Sequence, residues 1–253
     1  MLWNSPSIVV VSTAEEKSKS TRIMKLQLVI IAAFVASCIC EDDRKKDKKQ
    51  SVAPHVITSV ATLTFEVKNW DGEGETLRGD VKIGLFGELV PMTTLNFASI
   101  CKGFKRDGKA RLQYRNTHCH RLVKDMLIQC GDVLNQDGSG SRSIFGERFV
   151  DENFKVSHAT GGIVSMANHG KDTNGSQFFI LFGRARYLDN SHVAFGKVLE
   201  GMDVIEDINR MGPYSDRAVP KQKVRIAECS VEDLDQKYEL PEKLLFSDDP
   251  SKA

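Results

Sequence analysis

Residues 161–201 read GGIVSMANHGKDTNGSQFFILFGRARYLDNSHVAFGKVLEG. Short apolar runs, such as Phe178-Phe179-Ile180-Leu181-Phe182, alternate here with glycine-rich polar turns. Runs of that length bounded by turn residues suit buried strands better than helices. No serine, cysteine or carboxylate pair has the spacing of a nucleophile with its base, and neither GxSxG nor HExxH occurs. The stretch points away from hydrolytic chemistry.

The same texture extends back to Leu112 and forward to Val198. Upstream, residues 57–67 (ITSVATLTFEV) alternate with β-branched side chains and predict a strand. The turn signal NWDGEGE leads from it to a second strand at 81–86, so the domain opens on a hairpin. Pro91, with Thr93 or Thr94 as cap, starts a helix over about 92–102. A second helix is expected over about 202–210 and a last strand at 223–227. Many short strands with few helices predict a mainly β domain, either a closed antiparallel barrel or a sandwich. No linker divides residues 57–232, which read as one domain between a charged linker (41–56) and a polar C-terminal tail (233–253). Leu240, Leu244, Leu245 and Phe246 give that tail the means to dock.

A second informative stretch, residues 120–132, reads HRLVKDMLIQCGD. It sets Arg121 and Gln129 among strand-like apolar residues. Alternation puts Leu127 and Gln129 on one face. Taken alone, this is an edge strand with polar side chains turned to water.

Together these blocks resemble one family. The run SMAN..K.TNGSQFFI with LDNSHVAFGKVLEGM, preceded by HRLVKDMLIQCGD and DGSGSRSIFGERFVDENF, is similar to the cyclophilin-type peptidyl-prolyl cis-trans isomerases over residues 57–232. Lys124-Asp125, the GKDTNG wording and the leader described below resemble the secretory-pathway B and C types. The resemblance implies a closed eight-stranded antiparallel β-barrel with a helix over each open end. It implies a shallow proline pocket on the barrel's outer face, beside a second groove. By motif, Arg121 stands for the catalytic arginine and Gln129 for its neighbouring amide, with Asn168 and His192 completing the catalytic set. Met126, Leu127, Phe179 and Leu188 form the pocket. Ala167 and Asn168 offer the strand edge that holds the peptide. Gly138, His169 and Gln177 line the second groove, and Tyr187 replaces a common tryptophan. The polar pair of residues 120–132 thus faces a substrate on the barrel's outside. No metal or other cofactor is implied.

The departures carry their own expectations. Met126 in place of phenylalanine softens one pocket wall. Tyr187 lacks the indole N–H with which family members hold cyclosporin, so cyclosporin binding is expected to weaken more than turnover. His169 adds a titratable group to the second groove. Cys130, where glycine is common, reads as a small buried residue. Asn174-Gly175-Ser176 is a formal glycosylation sequon, expected to fold before modification and stay bare. Arg78-Gly79-Asp80 spells an adhesion motif at a strand start and is read as chance.

The leader begins with MKLQLVIIAAFVASCIC from Met24. Basic residues, a short apolar core and small residues at Ala36-Ser37-Cys38 make residues 1–40 an extension and secretory signal peptide, with translation starting at Met24. The alternative, an uncleaved anchor, fits the short core less well. The reading therefore places the protein in the endoplasmic reticulum lumen or outside the cell. Of six cysteines, Cys101, Cys119, Cys130 and Cys229 stay with the domain. An oxidising compartment allows them one or two disulfides, and spacing does not say which. The 253-residue chain is 41% hydrophobic and 27% charged, with a formal net charge of +1. That balance argues against nucleic acid as a main partner. Basic residues at 44–49 form a stub that can meet an acidic chaperone. The remaining partners expected are proline-containing peptides and unfolded clients, met by a monomer. A proline-segment escort with weak catalysis is the competing functional reading.

Overall fold

The computed structural model describes residues 55–106, 108–214, 216 and 218–247. The leader, its cleavage and the basic stub fall outside these residues. Strand β1 (Val56–Lys68) alternates between buried and part-exposed side chains along its length, the period-two pattern that its β-branched residues predict. It pairs antiparallel with β2 (Thr76–Leu85) around a turn in which Asn69 and Gly72 take positive φ. Strand β2 starts earlier than its apolar residues suggest, because β1 offers partners as far as Lys68. The Arg78-Gly79-Asp80 tripeptide lies within this strand. Arg78 is paired with Glu66 at 2.7 Å and Asp80 accepts a bond from Thr64.

Helix α1 (Pro91–Lys102) has Pro91 in its first turn, but neither threonine caps it. Its N-cap is Val90. The Met92 and Thr93 amides donate instead to the Glu152 carboxylate at 3.0 and 2.9 Å. A carboxylate sixty positions away thus satisfies donors that a helix start leaves open. Helix α2 (Met202–Met211) buries Met202, Val204, Ile205, Ile208 and Met211 on one side.

The other strands are short: β3 (Thr117–Cys119), β4 (Arg121–Val123), β5 (Leu127–Cys130), β6 (Ile163–Met166), β7 (Phe178–Leu181) and β8 (Ala194–Glu200). Strand β9 (Val224–Glu239) is long. It runs well past the apolar residues 223–227, because β1 accepts it through Val56↔Glu239. Leu240 and Leu245 beyond it are buried, the latter on the short helix α3 (Glu242–Leu245).

All pairings are antiparallel, in the order β3-β9-β1-β2-β8-β6-β7-β5-β4. The described residues thus form a mainly β fold with few helices. Nine strands appear instead of eight, because the run from Thr117 to Val123 breaks at His120. No hydrogen-bonded rung joins the end strands β3 and β4. Only His120 separates them in the chain, and a disulfide links Cys119 to Cys130 of β5 across a Cα–Cα distance of 4.0 Å. This corrects the reading of Cys130 as a simple small core residue. A second disulfide, Cys101–Cys229, ties α1 to β9. Inside, Phe97 touches Tyr114, Phe178 and Phe195 with ring centroids 5.0–5.1 Å apart.

Candidate active site

Arg121 and Gln129 face each other in the β4–β5 register. The Arg121 Nη1 donates to Gln129 Oε1 at 3.2 Å, and Gln129 Nε2 donates to Gln177 Oε1 at 2.8 Å. Gln177 Nε2 ends the chain on the carbonyls of Gly138 and Gly140, at 2.9 and 2.7 Å. Two main-chain acceptors therefore set the Gln177 amide, which sets Gln129, which turns an oxygen towards Arg121. The guanidinium is exposed, whereas Gln177 is buried beneath the groove.

The loop that supplies those carbonyls is organised by Asp132. Its carboxylate accepts main-chain N–H bonds from Leu134, Asn135, Asp137, Gly138 and Gly140. Burial raises the Asp132 pKa, but the N–H donors outweigh it and leave the group at about 2. Gly138 sits at φ +95° with the His120 ring 2.6 Å from where a Cβ would lie, so glycine is required there.

The apolar side is built differently. Phe179 on β7 is buried, with His158 stacked on one side (6.0 Å, 27°) and the His192 ring edge-on at 5.4 Å. His192 Nδ1 donates to the Met166 carbonyl at 3.0 Å, which fixes its ring. Behind this floor, His158 Nδ1 bonds Asp189 Oδ1 and His158 Nε2 bonds the Ser165 hydroxyl, both at 2.9 Å. Burial pushes the His158 pKa down, and Asp189 only partly opposes this. The ring is therefore neutral, donating to the carboxylate and accepting from the serine. The bond order matches a hydrolytic serine relay. Ser165 and His158 have no exposed surface, however, so no substrate reaches the hydroxyl. The trio braces Phe179 and, through Asp189, the adjacent Leu188.

These elements surround one groove of about 500 Å³. Strands β4, β5 and β7 bring Arg121, Leu127, Gln129 and Phe179 to it, and the turn before β5 adds Met126. Ala167, Asn168 and His169 follow β6 along another side, with Leu188, His192 and Gly138 on the rim. Asn168 is fixed through its side chain, which donates to the Ser191 carbonyl at 2.7 Å. Its main-chain N–H and C=O have no partner among the described residues. Tyr187 is not in the lining. It sits 67% exposed on the 3-10 turn Arg186–Leu188. His120 and Asp137 also line the groove. Neither they nor His158, Ser165 and Asp189 carry a local signal, since distant segments supply their neighbours. Asp132, followed by turn residues Asn135, Asp137 and Gly138, does carry one.

An apolar cleft, an open main-chain edge and a held guanidinium together define a site for an extended peptide with one apolar side chain inserted. The profile of the family described as "Cyclophilin type peptidyl-prolyl cis-trans isomerase/CLD" matches residues 72–231. The chain is 40% identical over 207 residues to peptidyl-prolyl cis-trans isomerase CYP21-1 of Arabidopsis thaliana, covering 80% of this chain and 88% of that protein. It is 43% identical to peptidyl-prolyl cis-trans isomerase H of Mycosarcoma maydis, over 61% of this chain and 98% of that one. It is also 43% identical to peptidyl-prolyl cis-trans isomerase 11 of Caenorhabditis elegans, over 60% and 82% respectively. The chain belongs to the cyclophilin family and is a peptidyl-prolyl cis-trans isomerase.

Proposed function

We propose that this isomerase assists folding in the secretory pathway, and that Arg121 is the group that lowers its barrier. An X–Pro amide resists rotation by ~18–20 kcal/mol because the nitrogen lone pair conjugates with the carbonyl. Uncatalysed exchange takes tens to hundreds of seconds, slow enough to limit folding. Neither a covalent intermediate nor a proton transfer is needed. A donor that meets the nitrogen once it loses planarity stabilises the twisted state alone, and that kind of contact raises rate.

In this reading the proline ring enters between Phe179, Leu127, Leu188 and Met126. The chain on either side lies along the Ala167–Asn168 edge, where the Asn168 main-chain N–H and C=O are open among the described residues. Arg121, its fork held by Gln129, then faces the prolyl nitrogen and carbonyl. The carrying observation is the directed bond series from Gly138 and Gly140 through Gln177 and Gln129 to an exposed guanidinium. His169 and Gly138 border the second groove, where residues before the proline are read. The barrel implied by the resemblance is taken to close along the β3–β4 seam. Cyclosporin is expected to bind the same groove weakly, because Tyr187, exposed on the turn that carries Leu188, lacks an indole donor.

Secretory placement rests on the leader and on two disulfides, which persist in oxidising compartments. Proline-bearing unfolded chains are the clients, and an acidic chaperone is the partner of residues 44–49. Two measurements test this. Magnetisation-exchange rates on a proline peptide, compared with its Kd, separate an isomerase acting through this groove from an escort; tight binding without accelerated exchange defeats the proposal. N-terminal sequencing of the protein made in cells should find the chain beginning near residue 41, and Met1 or Met24 at its start overturns the secretory reading.

A further inference from the structure

The two ends of the ladder meet beside Arg121, where its strand is weakest. Strand β4 is three residues long and pairs with β5 on one side only. Among the described residues, its other edge makes one main-chain bond, Leu122 N–H to the Ala218 carbonyl. Strand β3, directly before it, has only three register partners on β9. Hydrogen bonds therefore leave the seam around His120 open. The Cys119–Cys130 disulfide crosses it, joining the last residue of β3 to the last residue of β5.

Its place relative to the site is specific. Cys130 directly follows Gln129, and Cys119 lies two residues before Arg121. The segment it closes contains Arg121, Met126, Leu127 and Gln129. Both cysteines are buried, at 3% and 0% exposure, so the bridge lies under the groove and not in it. The other bridge, Cys101–Cys229, spans 128 positions, and it joins α1 to β9, neither of which lines the groove.

We infer that the Cys119–Cys130 disulfide is a positioning element for catalysis, holding Arg121 and Gln129 in the geometry that meets the twisted amide. The inference rests on Arg121 being the barrier-lowering group. Oriented donors lose rate steeply when displaced by about an ångström. Proline binding, by contrast, also draws on Phe179, Leu188 and the Asn168 edge, which lie outside the bridged segment, although Met126 and Leu127 lie within it. Loss of the bridge should therefore lower kcat more than it weakens affinity.

The experiment compares four proteins with the leader removed: wild type, Cys119→Ala/Cys130→Ala, Cys101→Ala/Cys229→Ala and Arg121→Ala. Each is assayed for kcat by protease-free exchange on a proline peptide and for peptide Kd by titration. The Cys119→Ala/Cys130→Ala protein should lose about tenfold in kcat, equal to ~1.4 kcal/mol, with Kd within threefold of wild type. The Cys101→Ala/Cys229→Ala protein should keep wild-type kcat. Unchanged kcat without the Cys119–Cys130 bridge overturns the inference, as does an equal loss in both bridge variants or a fall in affinity that matches the fall in rate. If the Cys119→Ala/Cys130→Ala protein does not fold, wild type treated with a dithiol decides. The dithiol delivers two electrons and two protons, becomes a cyclic disulfide and leaves two thiols, counted at positions 119 and 130 by mass spectrometry. Reduction with full retention of kcat overturns the inference. Wild-type turnover by Arg121→Ala overturns the underlying site reading instead, so the two failures are distinguishable.

Discussion

The polar and apolar sides of the groove are held by different means. Arg121 stands on a three-residue edge strand and takes its direction from a series of side-chain amides ending on two loop carbonyls. Phe179 stands on an interior strand paired on both sides and is clamped between two imidazoles. The apolar floor continues the core, so packing fixes it as it fixes any core residue. The guanidinium has to remain in reach of a ligand, so packing cannot hold it, and hydrogen bonds and a cross-link do so. Binding and rate enhancement should accordingly respond to different substitutions.

Arg121→Ala is the harshest test of the division. Its kcat/KM should fall a hundredfold or more, ~3 kcal/mol, in a protein whose far-UV dichroism and peptide Kd are close to wild type. Arg121→Lys keeps the charge but not the fork and should recover little. Phe179→Leu should show the opposite signature. About a tenfold rise in peptide Kd is expected, ~1.4 kcal/mol, with kcat at saturation altered much less. A matching loss of kcat would merge the two sides. Gln129→Ala removes the acceptor that turns Arg121, and threefold to tenfold in kcat should follow without weaker binding. Tyr187→Trp is the mildest change. A restored indole donor is worth ~0.5–1.5 kcal/mol, so cyclosporin affinity should rise about twofold to tenfold by fluorescence titration, with turnover unchanged.

Two buried supports of the groove titrate in different pH windows. Burial lowers the pKa of His158 in the folded protein below its ordinary 6.5. The unfolded chain then takes up the extra proton first. His158 contributes stability in full above about pH 6.5 and loses it as pH falls through that value. Thermal melts should drop between pH 7 and 5, and His158→Gln should flatten the drop. Burial also lowers His55 and His120, so part of the slope should remain. Asp132, held near 2 against an ordinary 3.8, acts lower. Its contribution is present above about pH 4 and disappears only towards pH 2, below the window in which the buried histidines titrate.

Much of the architecture was legible along the chain. The alternation of residues 57–67 marked β1, glycine-rich turns marked the short strands, and the helix at 202–210 was found within a residue of its end. The motif words brought Arg121, Gln129, Phe179, His192 and their companions to one groove. Misreadings arose where a partner was remote. Thr93 and Thr94 gave way to Glu152 as the source of the helix cap, and Cys130 proved to be half of a bridge. Tyr187, matched to a pocket position by its neighbours in sequence, faces solvent outside the lining.

The chain by itself determined its strand and turn content, the family and the residue types that a proline site requires, because each of these is written in local periodicity and local wording. Only the tertiary structure decided which cysteines meet, what orients Arg121, and that Ser165, His158 and Asp189 form a sealed brace instead of a nucleophile. Those outcomes depend on distances between segments far apart in sequence and on which atoms water and substrate can reach, and neither quantity exists until the chain has folded.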